Sequence, residues 1–234
     1  MTLQALIFDV DGTLADTERD GHRPAFNAAF AELGLAWHWD ESRYSDLLAV
    51  TGGKERIRHY AHLHDPYFLA RPDAEALIRQ LHAAKTRHYL ALVSRGGIPL
   101  RPGIAELLGE ARTAGMRLAI ATTTTAENVT ALLASTLGAD APGWFDVIGA
   151  GDVVAAKKPA PDIYFWVLDR LRLPANACLA IEDSSNGLRA AVAAGLPTIV
   201  TENDYTRGQD FTGALVVLPD LCGETLASLG ALYV

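Results

Sequence analysis

Short apolar runs rich in β-branched residues alternate with helical patterns along most of this chain, and that alternation restricts the possible folds more than any other feature. The runs are LQALIFD (3–9), RLAIAT (117–122), DVIGA (146–150), CLAIE (178–182), TIV (198–200) and ALVVL (214–218). Each reads as a buried strand. Helical patterns follow at 103–114, 126–137, 162–171 and 186–194, with Gly115 and Gly195 where helix C-caps belong. Strand and helix taken in turn imply parallel strands with helices on both faces, the doubly wound α/β class.

The interval 17–97 breaks this rhythm. It carries no convincing strand but several amphipathic stretches, such as 73–93 with a Leu77, Leu81, Ala84 and Leu92 stripe. The expectation is a core domain of 1–16 with 98–234 and a helical domain of 17–97 inserted after the first strand, with SRGGIPLRPG (94–103) as the linker. Both connections then fall beside the C-terminal edge of the sheet, where open α/β folds bind ligands. Such an insert serves as a lid that closes over substrate and excludes water, or only as added stability.

Composition narrows the function classes. A formal charge of −8 argues against nucleic-acid binding, which needs a basic surface. No apolar run approaches the roughly 20 residues of a membrane span, and MTLQALIFD has no leader character. The expectation is a soluble cytoplasmic monomer without membrane contact. Cys178 and Cys222 form no disulfide or metal spacing and are expected as reduced thiols.

The strongest chemical signal is Asp9-Val10-Asp11-Gly12-Thr13-Leu14, at the end of the first strand. Carboxylates two residues apart on extended chain point the same way, and Gly12 permits a sharp exit. Phosphate monoesters hydrolyse so slowly in water that an enzyme must supply a nucleophile, a metal and an acid for the leaving alkoxide. Asp9 could attack phosphorus and Asp11 could protonate the leaving oxygen and then activate water. Alone, such a pair is more often solvated or a simple metal contact. Thr122 to Thr125 could hold phosphate oxygens at a helix N-terminus, or could simply cap the helix. Lys157-Lys158-Pro159 fixes a cation before another helix. Glu182-Asp183-Ser184 ends the fourth strand with carboxylates suited to Mg²⁺, although Asp183 alone could be a helix cap.

Four such groups at the ends of successive strands resemble the haloacid dehalogenase (HAD) superfamily, whose motifs match as FDVDGTL, IATT, KKPAPDIY and IEDSSNG over nearly the whole chain. The resemblance implies a Rossmann-like core with an α-helical cap and an Mg²⁺-dependent phosphatase. It makes Asp9 the nucleophile, Asp11 the acid and base, Thr122 the phosphate-binding hydroxyl, with Thr123 beside it, and Lys158 the phosphate-clamping cation. Lys158 is preferred over Lys157 because the family's lysine directly precedes the first proline. Asp183, Asp9 and the Asp11 carbonyl then ligate the metal, supported by Glu182.

The insert resembles the CbbY-like branch, close to β-phosphoglucomutase, in Asp16-Thr17-Glu18, Gly21-His22-Arg23 and Thr51-Gly52-Gly53-Lys54-Glu55-Arg56. On that resemblance Glu18 and His22 bind sugar hydroxyls, Lys54 with Arg56 could clamp a second phosphate, and Gly52, Gly53 and Lys85 also contact substrate. The alternative for each cation is a solvated helix face. Pro24 departs from the pattern and predicts a first cap helix that starts near His22 rather than at Thr17. The implied substrate is a small phosphorylated sugar, xylulose 1,5-bisphosphate, a by-product that inhibits Rubisco. A phosphosugar mutase and a non-enzymatic phosphoacceptor switch are the rival readings. Dehalogenases lack the second aspartate that Asp11 provides here.

Overall fold

The computed structural model describes residues 3–233; residues 1, 2 and 234, included in the expected core domain, lie outside the described residues. The chain separates into two compact units, one running up to Asp16 and resuming at Pro99, the other Thr17–Ile98.

In the first unit the strands are β1 (Ala5–Phe8), β2 (Arg117–Ala121), β3 (Val147–Gly149), β4 (Cys178–Glu182), β5 (Thr198–Thr201) and β6 (Val216–Leu218). They pair in parallel in the order β3-β2-β1-β4-β5-β6. Strand β1 is buried on both sides, as a parallel central strand must be. Ala5 and Ile7 join Ala119, Cys178, Ala180, Ile163, Tyr164 and Val167 in one core cluster. The alternate residues Leu6, Phe8, Leu118 and Ile120 are equally buried on the opposite face. Phe8 stands level with Ile120 on one side and Ile181 on the other, so Asp9, Thr122 and Glu182 all emerge at the same edge. The strand order reverses between β1 and β4, which opens a crevice there.

The second unit holds helices and, among its described residues, no strand, with α1 (Arg23–Glu32), α2 (Glu41–Leu47), α3 (Gly53–His64), α4 (Pro66–Leu69) and α5 (Ala74–Val93). Its core is aromatic: Trp39 packs on Phe26 and Phe30 with ring centroids 4.7 Å apart in each case. The Asn27 side chain donates to the Trp39 carbonyl and accepts from its N–H, pinning the α1–α2 connection. The buried stripe of α5 runs through Ala74, Ile78, Leu81, Ala84, Lys85, Tyr89 and Val93, leaving Leu77 and Leu92 at its half-buried margins. The α-helix starts at Arg23, next to His22 as expected, but an unexpected π-helical turn, Glu18–His22, precedes it and leads directly into it. Proline has no N–H to give the preceding turn, and a wider turn before it accommodates that loss.

The sheet of the first unit carries α6 (Ile104–Thr113), α7 (Ala126–Leu137), α8 (Asp162–Leu171) and α9 (Ser185–Ala193), and α10 (Leu226–Leu232) follows β6. Thr125 and Ser184 cap α7 and α9, accepting from Asn128 and Gly187 backbone N–H groups. Capping at these two helices therefore falls to Thr125 and Ser184, and leaves Thr122 and Asp183 for other work.

Candidate active site

Asp9 is the first residue past β1, still held in the ladder by its N–H to the Ile181 carbonyl at 3.0 Å. Its Oδ1 accepts from Lys158 Nζ at 2.6 Å, and the same ammonium donates to Glu182 Oε1 at 2.6 Å and to the Ala121 carbonyl at 2.8 Å. One buried lysine thus ties the ends of β1, β2 and β4 together. Lys157 points elsewhere, to Asp152 and the Gly151 carbonyl. Thr122 is buried beside Ala121, and its hydroxyl accepts from the Thr124 N–H at 3.3 Å. Thr123 is half-buried in the same turn, and so is Asp11, two residues beyond Asp9.

Carboxylate oxygens of Asp9, Glu182 and Asp183 lie within 4.8 Å of one another, all buried. Burial pushes the Asp9 carboxyl up to about 8; Lys158 opposes the shift, and Glu182 and Asp11 add to it. Burial also raises Asp183 well above the ordinary carboxylate range, reinforced by Asp9 and Glu182. Lys158 behaves in the opposite sense: burial works against its ammonium, yet Asp9 and Glu182 outweigh it and hold its pKa above the ordinary lysine value. One ammonium against three dehydrated carboxylates leaves the cluster short of positive charge. Oxygen donors gathered at a sheet edge with that deficit suit a small hard divalent cation. Space is reserved around the donors too, since a Cβ on Gly12 (φ +89°) would stand 2.2 Å from Asp183 Oδ2.

Three participants were not legible beforehand. Tyr164 on α8 donates its hydroxyl to Glu182 Oε1. Asn203, two residues past β5, donates to Asp183 Oδ2 at 2.7 Å and to the Gly12 carbonyl at 3.3 Å. Arg101 reaches the same carbonyl. Tyr164 closes the KKPAPDIY motif and Asn203 lies two residues past β5, and these are the signals the sequence offers for them. Arg101, inside the linker, carries none.

Within the helical unit a second polar cluster forms. Tyr44 donates to Glu18, Arg56 Nη1 donates to the Tyr44 hydroxyl at 2.7 Å, and the Arg56–Glu18 ion pair spans 3.5 Å. Arg56 and Lys85 are both buried, so neither is a solvated helix face. Lys85 Nζ lies over the rings of Phe26 and Tyr89 at 5.2 and 5.4 Å. His22 stacks on Tyr89, with ring centroids 4.2 Å apart. Gly52, with φ +98°, and Gly53 begin α3, and Lys54 is half-buried in its first turn. A Cβ on Gly53 would stand 2.8 Å from the His82 ring.

A model of the haloacid dehalogenase-like hydrolase family matches residues 3–195. The chain belongs to this family. It is 58% identical to the plasmid CbbY protein of Cupriavidus necator over 94% of this chain and 86% of that protein. It is 51% identical to CbbY of Rhodobacter capsulatus over 94% and 95% of the two chains. Among solved structures, CbbY of Rhodobacter sphaeroides in complex with phosphate superposes with a TM-score of 0.89 at 48% identity, covering 97% of this chain and 99% of the other. A mutant of that protein in complex with xylulose-(1,5)bisphosphate gives 0.90 at 49% identity over the same shares. A β-phosphoglucomutase of Clostridium difficile, 19% identical with a TM-score of 0.81 over 99% and 97% of the chains, shares the fold. The present hydrolase is a phosphatase, acting on phosphoric monoesters.

Proposed function

We propose that this phosphatase is Mg²⁺-dependent, works through a phosphoryl group carried on Asp9, and takes xylulose 1,5-bisphosphate as its substrate. The observation that carries the mechanism is the Lys158–Asp9 contact of 2.6 Å beside Glu182 and Asp183. Asp9, Asp183 and the Asp11 carbonyl would hold the ion, with Glu182 in support. Bound there, Mg²⁺ would neutralise charge on the phosphoryl oxygens and on the carboxylates themselves.

A carboxylate oxygen of Asp9 attacks phosphorus, and the bond from phosphorus to the sugar oxygen breaks. Asp11 gives its proton to that departing oxygen. Asp11 then takes a proton from water, the water oxygen attacks phosphorus, and the Asp9 carboxylate is released with inorganic phosphate. Lys158 and the Thr122 hydroxyl bind phosphoryl oxygens, and Thr123 lines the same turn. Glu182 has Oε1 committed to Lys158 and Tyr164, so its main task is to hold the lysine where Asp9 needs it.

Selectivity for a bisphosphate rests on the helical unit. Glu18 and His22 serve the sugar hydroxyls. Lys54 and Lys85 serve the second phosphate, with Gly52 and Gly53 at the start of α3, where the missing side chains let Glu55 and His82 pack closely. Arg56 holds Tyr44 and Glu18 in place. Support for the substrate comes from the resemblance to the CbbY protein whose structure contains xylulose-(1,5)bisphosphate. Release of inorganic phosphate should be faster from xylulose 1,5-bisphosphate than from ribulose 1,5-bisphosphate or phosphoglycolate. No such preference would remove the substrate assignment, and an isomerised sugar phosphate in place of free phosphate would make the enzyme a mutase.

A further inference from the structure

Arg101 is 8% exposed, and its guanidinium spends most of its hydrogen bonds on backbone carbonyls. Nη1 donates to the Gly12 carbonyl and, at 2.9 and 3.1 Å, to the carbonyl and hydroxyl of Thr201. Nη2 donates to the carbonyls of Glu202 and Pro219, both at 2.7 Å. The Arg101 backbone N–H reaches the Leu14 carbonyl at 2.8 Å, and the neighbouring Leu100 pairs with Ala15. Its nearest carboxylate, Asp16, stands 3.6 Å from Nε. Apart from that ion pair, the side chain gathers the turn after β1 and the chain ends after β5 and β6 around a single planar fork.

The turn it grips is the one that follows Asp11. Gly12 turns the chain with φ +89°, its N–H goes to the Ala15 carbonyl, and its own carbonyl accepts from both Arg101 and Asn203. The Gly12 N–H bond to the Ala15 carbonyl fixes the peptide plane between Asp11 and Gly12, and the bonds to the Gly12 carbonyl fix the plane that follows, so the backbone carrying Asp11 is held from both sides of Gly12.

We propose that Arg101 is a positioning residue of the reaction: its hold on the Gly12 carbonyl aims the Asp11 carboxyl at the leaving oxygen. The proposal rests on Asp11 being the acid of the first step. An acid matters most for a poor leaving group, so the consequence is selective. In Arg101→Lys, kcat/KM for a sugar phosphate should fall by about 10- to 100-fold, a part of the roughly 10²- to 10⁴-fold that a positioned general acid contributes. For p-nitrophenyl phosphate, whose leaving group departs without a proton, it should fall by less than about 5-fold. A lysine cannot span the same carbonyls, because it presents a point charge in place of a fork.

Both substrates would be assayed with the full chain at saturating Mg²⁺, together with the thermal midpoint of each variant. Equal losses on the two substrates, or no loss on either, overturn the proposal, since a structural role would weaken both alike. If Arg101→Lys does not fold, Arg101→Gln, which keeps one planar amide donor, is assayed in its place and should show the same bias; equal losses there overturn it as well. Asp9→Asn serves as the reference. Should it keep turning over both substrates, the Asp9 phosphatase reading falls and the proposal with it, whereas an inactive Asp9→Asn with unbiased Arg101→Lys removes the proposal alone.

Discussion

The ammonium of Lys158 lies 2.6 Å from Asp9 Oδ1 although the two residues are 149 positions apart in the chain. This contact joins the proposed nucleophile to the proposed phosphate-binding cation within the folded chain. It also fixes the orientation of the Asp9 carboxylate through one of its two oxygens.

Replacing Asp9 by Asn keeps the shape of the side chain and removes the proposed nucleophile. Turnover of any phosphomonoester should fall by at least about 10³-fold, as when other covalent catalysts lose the attacking group. The variant should still fold, because Lys158 keeps Glu182 as a partner. Phosphate release and circular dichroism decide it: an active, folded Asp9→Asn protein would remove the covalent mechanism.

The raised carboxyls make stability depend on pH in a definite direction. The pKa of Asp9 is about 8 in the folded state against 3.8 for an ordinary aspartate, and Asp183 shifts the same way. The folded, metal-free protein therefore binds these protons more tightly than the unfolded chain. Their contribution to stability is complete below pH 3.8 and is lost as pH rises through about 8. Mg²⁺ must displace those protons, so its stabilising effect should grow with pH. Thermal melts at pH 5.5 and 8, in chelator and in Mg²⁺, provide the comparison. A larger Mg²⁺-induced shift at the lower pH would contradict the arrangement.

Gly187 is the tightest contact behind the site. A Cβ there would fall 1.9 Å from Glu182 Oε2, and Glu182 cannot retreat while Lys158 and Tyr164 hold its other oxygen. Gly187→Ala should cost about 1–3 kcal/mol of stability, the usual penalty of overpacking. It should also lower kcat through the displaced lysine. Urea denaturation and steady-state kinetics measure both, and a variant as stable and as fast as the parent would show that Glu182 is free to move.

Local patterns in the sequence carried most of the fold. The apolar runs correspond to six parallel strands, and residues 126–137 and 162–171 form helices with those limits. Local geometry at the first cap helix was less legible, because a wide turn before Pro24 follows from the whole path of the chain there. Solvation of the cap cations was not legible either: Arg56 and Lys85 are buried by aromatic neighbours that come from other helices.

The sequence by itself determined the strand and helix alternation and the identity of the acidic, hydroxyl and lysine groups at the strand ends, since hydrophobic periodicity and turn chemistry are properties of a few adjacent residues. Tertiary structure alone decided which groups meet. Strand order placed β4 beside β1 and so brought Glu182 to share Lys158 with Asp9, gave Asp183 its Asn203, and set Arg101 on the Gly12 carbonyl. Those contacts span 20 to 149 residues. They depend on crossovers and packing across the sheet, and no local window of residues contains that information.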